Sequence, residues 1–198
     1  MLYDTQGLRI VPIMMVSKEK DPDILDSKAY WYVLRFLYRN QPRVRALFEA
    51  NGVKTFSPKK LVIKIEKGRR VKKYEDILWD LFFVHSSKEI IDPYIAKFNN
   101  FQYKFKSGGR RHNPLIVPEE QMDAFIKAVE ASNNPLFISH DDIDMRKGTR
   151  VRIVRGPLSG FEGIVIKVKG AKAKRFIVDV PNTIAVAVEV SPDMIVRL

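Results

Sequence analysis

Hydrophobic and polar positions change period several times along this chain, and each change marks an element. Residues 29–36 form an apolar run rich in Tyr and Trp, which predicts a buried strand. Beyond Asn40, Pro42 suits a first helical turn. Val44, Leu47 and Phe48 then fall at three- and four-residue spacing and Gly52 suits the stop, so a helix follows. Residues 53–56 resume an extended pattern. Leu61, Ile63 and Ile65 alternate with Val62, Lys64 and Glu66, Gly68 lies near a turn, and residues 71–74 return, which predicts a hairpin. Residues 77–84 read as a strongly apolar strand. Ser86 and Glu89 have capping-box spacing for a helix through Tyr94, Ile95 and Phe98, with Asp92-Pro93 as the alternative start. Phe101, Tyr103 and Phe105 alternate with Gln102, Lys104 and Lys106. Pro118 precedes a helix with Met122, Phe125, Ile126 and Val129 on one face. Strand, helix, antiparallel strands, helix, strand, helix is the order of an α+β fold with helices against a sheet.

The remainder has a shorter rhythm. Residues 149–154, 163–168, 176–180, 184–190 and 194–196 read as short strands, separated by Gly156-Pro157, Gly160, Gly170, Pro181-Asn182 and Ser191-Pro192. Five such strands in so short a stretch predict a small β-barrel.

Charge sharpens the division. The chain carries a net +12 at pH 7, which favours phosphate backbones or acidic proteins as partners. Residues 29–131 hold twenty basic and eleven acidic side chains, whereas residues 132–145 hold three aspartates and no basic residue. That acidic stretch, with Ser132-Asn133-Asn134-Pro135, reads as a linker between two basic domains, 29–131 and 146–198, behind an amino-terminal arm, 1–28. There is no cysteine, which excludes disulfides, thiolate metal sites and cysteine nucleophiles. No apolar run reaches the roughly 18 residues of a membrane span, and the opening lacks the basic flank of a secretory signal. A cytoplasmic, monomeric protein with no membrane partner is the expectation.

Chemistry-bearing clusters are few. His85, His112 and His140 do not stand at metal-ligand spacing with one another, and only His140 has local acidic company, in Asp141 and Asp142. Gly108-Gly109, flanked by Lys104, Lys106, Arg110 and Arg111, lacks the strand–loop–helix setting of a phosphate loop. No Gly-x-Ser-x-Gly elbow or marked carboxylate pair is present. The expectation is no enzyme, no metal and no cofactor. The strongest charge feature is the hairpin: Lys59, Lys60, Lys64, Lys67, Arg69, Arg70, Lys72 and Lys73 against Glu66 alone across residues 59–73. It suits nucleic acid or an acidic protein loop, and equally a solvated hairpin tip.

Residues 150–165, RVRIVRGPLSGFEGIV, resemble a KOW motif: strand, Gly-Pro turn, Gly160-Phe161, then Gly163 and a second strand. Gly163 is required there if the chain takes a positive φ or a close backbone approach. Tyr30-Trp31-Tyr32-Val33, the helix over 43–52, and Val53-Lys54-Thr55-Phe56-Ser57-Pro58 resemble the opening of the NusG amino-terminal domain. With both domains in order, the chain resembles the NusG family of transcription elongation factors over residues 29–198, and within it the specialised paralogues of the RfaH and UpxY kind. The family's Phe-Pro-x-Tyr segment is absent: Leu78, Trp79, Asp80 and Leu81 stand in that stretch, followed by Phe82-Phe83-Val84.

The resemblance implies an NGN-like sheet with flanking helices and an SH3-like KOW barrel. It also implies a regulator that elongates or antiterminates by binding RNA polymerase through the front domain. A small-subunit ribosomal protein or Rho would bind the barrel, and nucleic acid near the transcription bubble would meet the hairpin. Alternation puts 79, 81 and 83 on one face and 78, 82 and 84 on the other. One set is core, and the resemblance favours Trp79, Leu81 and Phe83 as the polymerase contact. Phe161 and Ile184 are candidates for the barrel's partner face, or for its own core. A ribosome-associated or general RNA-binding KOW protein is the alternative, although it does not need the front domain.

Overall fold

The computed structural model describes residues 28–36, 41–98, 100–106, 113–132, 135–139, 148–167 and 174–198. The amino-terminal arm through residue 27, the 107–112 loop with His112, and residues 140–147 with His140 lie outside them. In chain order the front half contains β1 (Tyr30–Phe36), α1 (Gln41–Ala50), β2 (Lys54–Phe56), β3 (Lys59–Glu66), β4 (Arg69–Asp76), β5 (Leu81–Ser86), α2 (Lys88–Lys97), β6 (Phe101–Tyr103), β7 (Ile116–Val117) and α3 (Glu119–Ala131). The back half contains β8 (Leu136–Ser139), β9 (Thr149–Ile153), β10 (Glu162–Lys167), β11 (Lys174–Val180), β12 (Ile184–Glu189) and β13 (Ile195–Arg197). The chain is α+β, with antiparallel sheets throughout.

The first sheet is centred on β1, flanked by β5 and β6, with β2 outside β5 and β7 against the start of β1. Val33 stands opposite Phe83 and Leu34 opposite Phe82, so successive residues commit to opposite faces. One face carries Tyr32, Leu34, Phe36, Phe82 and Val84 and is covered by α1 and α2, where Phe48 stacks on Tyr94 with ring centres 4.3 Å apart. The other carries Trp31, Val33, Leu81 and Phe83 and is covered by α3, whose Phe125 ring lies 5.9 Å from Phe83 and 6.1 Å from Phe56. The sheet is therefore a two-sided core, which is why the aromatic run of β1 is buried nearly end to end.

The back half forms one six-stranded sheet in the order β13-β9-β10-β11-β12-β8. Its edge strand β8 comes from the segment whose sequence suggests only a linker; Phe137 pairs with Val186 and Leu136 with Ala187. Helix α3 also packs on β11 and β12. A single buried cluster runs from Trp31 and Phe83 through Met122, Phe125 and Ala128 to Val178, Val186 and Val188. Burying Met122 and Phe125 contributes about 1.5–3 kcal/mol each. The back sheet is thus docked on α3.

Two local expectations are corrected. The apolar strand over 77–84 begins only at Leu81: residues 77–80 bend instead, Ile77 N–H donates to Pro58 O at 2.9 Å, and the bond from Phe36 N–H to Asp80 O at 2.7 Å is where the pairing with β1 starts. Helix α2 is preceded by Ser87 rather than Ser86 as its cap, without a side-chain capping bond, and it accommodates Pro93 in its interior. Among the described residues no helix is long and apolar enough to cross a membrane.

Candidate functional site

The basic hairpin is β3 and β4, a two-stranded sheet of its own. Its tip is Lys67-Gly68, with φ of +48° and +76°. Positive φ at both central residues is the type I′ turn that matches strand twist, and a glycine is needed at one of them. The base is fixed to the body. Arg45 of α1 donates to Asp76 Oδ1 at 2.8 Å, with both side chains largely buried, and Arg45 also lies 3.5 Å from Glu49. The hairpin therefore projects from an anchored root.

Its register divides it into two unlike faces. Leu61 pairs with Tyr74, Ile63 with Lys72 and Ile65 with Arg70, so these six share one face. Lys60, Val62, Lys64 and Glu66 share the other with Glu75, Lys73, Val71 and Arg69. The second face is half paired: Lys64 with Glu75 and Lys73 with Glu66, while Lys60 and Arg69 stand outside these pairs. The hydrogen bond and charge of Glu75 hold the Lys64 ammonium above its ordinary pKa. The first face has no carboxylate between Leu61 and Tyr74, and among the described residues Arg70 and Lys72 have no ion-pair partner. All eight cations from Lys59 to Lys73 are exposed. So are Leu61, Ile63, Ile65 at 76% and Tyr74 at 72%. The composition of β4, RRVKKYED, was the available sign that this hairpin has no buried face, since it supplies one aliphatic side chain in eight.

The three residues expected to meet polymerase separate. Trp79 lies in the bend before β5 and is 61% exposed, whereas Leu81 is 7% and Phe83 0% exposed. Strand alternation does not extend back across the bend, so Trp79 does not share their face. Leu81 and Phe83 are core beneath α3 and offer no surface here; this corrects their assignment as contacts.

In the back sheet, Gly160 has φ +90° with open space around it. Gly163 is needed for a different reason: a Cβ there would sit 2.6 Å from the Phe176 ring and 3.2 Å from Ile177 O. The bond from Gly160 N–H to Ile153 O at 2.7 Å closes the turn that carries Phe161. Phe161 is half-buried against the shared core, and Lys127 of α3 lies 5.3 Å over its ring. Ile184 is buried in that core, which corrects its candidacy as partner surface. It follows Pro181-Asn182, whose bond from Thr183 N–H to Val180 O and positive φ at Asn182 mark a type II turn.

Sequence reasoning also missed the setting of His85. Its Nε2 lies 3.2 Å from Glu119 Oε2, the same carboxylate accepts from Trp31 Nε1 at 3.3 Å, and Lys54 lies 5.0 Å over the Trp31 ring. This small network ties the start of α3 to the sheet. Among the described residues no three His, Cys, Asp or Glu side chains are placed to hold a metal.

Comparison with known proteins gives the following. The family model described as transcription termination factor nusG matches residues 29–126. Among solved structures, one titled "Domain interaction in Thermotoga maritima NusG" is similar at 16% identity and a TM-score of 0.43, over 85% of this chain and 96% of that one. No curated protein matches. Through residues 29–126, which are the sheet, the anchored hairpin and most of α3, the chain belongs to the NusG family.

Proposed function

We propose that the protein regulates transcript elongation by docking on RNA polymerase through its front half, and acts as an antiterminator or elongation factor rather than an enzyme. Family membership supports the class of function. The observation that carries docking is an outward Trp79 on the same domain as an anchored basic hairpin. A large exposed aromatic is the residue type from which interface hot spots are built, at about 2 kcal/mol or more. Preferential affinity for one clamp state would shift polymerase toward it.

The back sheet takes a second partner in this reading, a ribosomal protein or Rho, at the Gly160-Phe161 turn. Because α3 covers part of Phe161, that partner competes with α3, and its binding would loosen the two halves. The test is retention of the full chain by core RNA polymerase at physiological salt, coupled to readthrough of a terminator in a purified system. Retention with altered readthrough supports the proposal. A folded protein that is not retained contradicts it.

A further inference from the structure

Strand β13 forms one edge of the six-stranded back sheet, and among the described residues no strand pairs with its outer side. We propose that this edge takes an extended acidic peptide of a partner protein as a further strand, with apolar and acidic side chains in alternation. The edge is separate from Trp79, the basic hairpin and the Gly160-Phe161 turn, so this role goes beyond the proposed function.

Backbone bonding shows which groups are on offer. Val154 N–H donates to Met194 O at 2.8 Å and Leu198 N–H to Arg150 O at 3.2 Å. Residues 194, 196 and 198 therefore turn their backbone groups toward β9, and the antiparallel pattern turns those of Ile195 and Arg197 outward. An exposed row of this kind is a template for strand addition. It carries no proline and no lysine; its safeguards are its length, since β13 has three residues, and Arg197. Side chains select what is added. Val196 lies opposite Arg152 and shares with Val154 and Leu198 the face turned away from the shared core; all three are exposed, Val196 at 52% and Leu198 at 56%. A strand laid beside β13 covers this row with every second side chain, and the side chains between them meet Arg197 on the other face. Within residues 149–155 and 192–198 four arginines stand against Asp193 alone. Arg152 is paired with Glu162 of β10, and Arg150 and Arg197 have no ion pair among the described residues. An acidic peptide complements that excess. Nucleic acid fits less well, because the row has no aromatic ring on which a base could stack. A second copy of this chain would bring another net +12 to the contact.

The experiment is an NMR titration of the isotope-labelled full chain with a short synthetic peptide of alternating valine and glutamate. The amide signals of Ile195 and Arg197 should move most. The same peptide N-methylated at every glutamate, which cannot donate to the edge, should leave them in place, and this comparison needs no change to the protein. Arg197→Pro removes an outward N–H at a position where an edge strand tolerates proline, and should weaken binding about tenfold. Arg197→Gln, which removes the charge alone, should weaken it about threefold or less. Amide signals of β11 and β12 that match the parent's show each variant folded. The proposal is overturned if about 1 mM peptide moves no signal of β13, if the N-methylated peptide binds as well, or if a peptide with lysine in place of glutamate binds equally. It is also overturned if sedimentation shows that the parent self-associates and Arg197→Pro does not, which would assign the edge to a second copy of the chain.

Discussion

The ammonium of Lys127, on α3, lies 5.3 Å over the ring of Phe161, in the turn between β9 and β10. The contact joins the helix that completes the front core to the Gly160-Phe161 turn of the back sheet. A cation over an aromatic face at a partly exposed site contributes about 0.5–1 kcal/mol. Lys127→Glu removes the attraction and leaves a carboxylate against the negative ring face. Hydrogen exchange on β11 and β12 should then quicken, while exchange on β1 and β5 changes little. Unchanged exchange on both sheets would show that the contact does not hold the halves together.

Phe125 and Trp79 make a matched pair for stability. Phe125 is fully buried between Phe83, Phe56 and the shared core, and Trp79 is mostly in solvent. Phe125→Ala should cost about 3–5 kcal/mol in urea unfolding. Trp79→Ala should stay within about 0.5 kcal/mol of the parent. A large loss at Trp79 would mean that its ring is covered.

Alkaline pH should find a weak point at Tyr103. Its buried hydroxyl donates to Asp92 Oδ1 at 2.9 Å, and burial first, then that bond and the nearby carboxylate charge, push its pKa well above the ordinary tyrosine value. The neutral phenol is thus favoured in the fold. The stabilisation is complete below about pH 10, where the unfolded phenol titrates, and is lost as pH rises from there toward the raised folded pKa. Tyr103→Phe gives up about 0.5–1.5 kcal/mol of hydrogen bond at neutral pH, and its stability should fall less steeply between pH 9 and 11 than the parent's. Parallel curves would exclude Tyr103 as the titrating group.

Gly163 admits no side chain without movement of Phe176. Gly163→Ala should destabilise by about 1–3 kcal/mol. Because the clash is chiefly with the Phe176 ring edge, Phe176→Leu should make the second change less costly than it is alone. Strict additivity in the double mutant would place the strain in the Ile177 carbonyl instead.

How far these features could be read from the sequence depends on how local their causes are. The helix after Pro118 is legible because Met122, Phe125 and Val129 keep helical spacing, but spacing does not say that the same helix also serves a second sheet. The start of β5 is hidden because the run from Ile77 is apolar but for Asp80, and one polar residue is compatible with a strand; the bend over 77–80, with Ile77 N–H donating to the distant Pro58 O, sets the boundary. Strand β8 is four residues in a punctuated acidic stretch, and its reason to exist is β12, nearly fifty residues away. The hairpin's charge is plain in the sequence. Which residues near position 80 face outward is not, since alternation defines two faces and only the packing of α3 decides which is covered.

In the proposed function polymerase meets the exposed Trp79 rather than the buried Leu81 and Phe83. Affinity of the full chain for core RNA polymerase at physiological salt, measured for the parent and for Trp79→Ala, tests it most directly. The expected result is tight binding by the parent and a loss of about thirtyfold or more in the variant, with its fold intact. Parent-like binding by Trp79→Ala would contradict the claim.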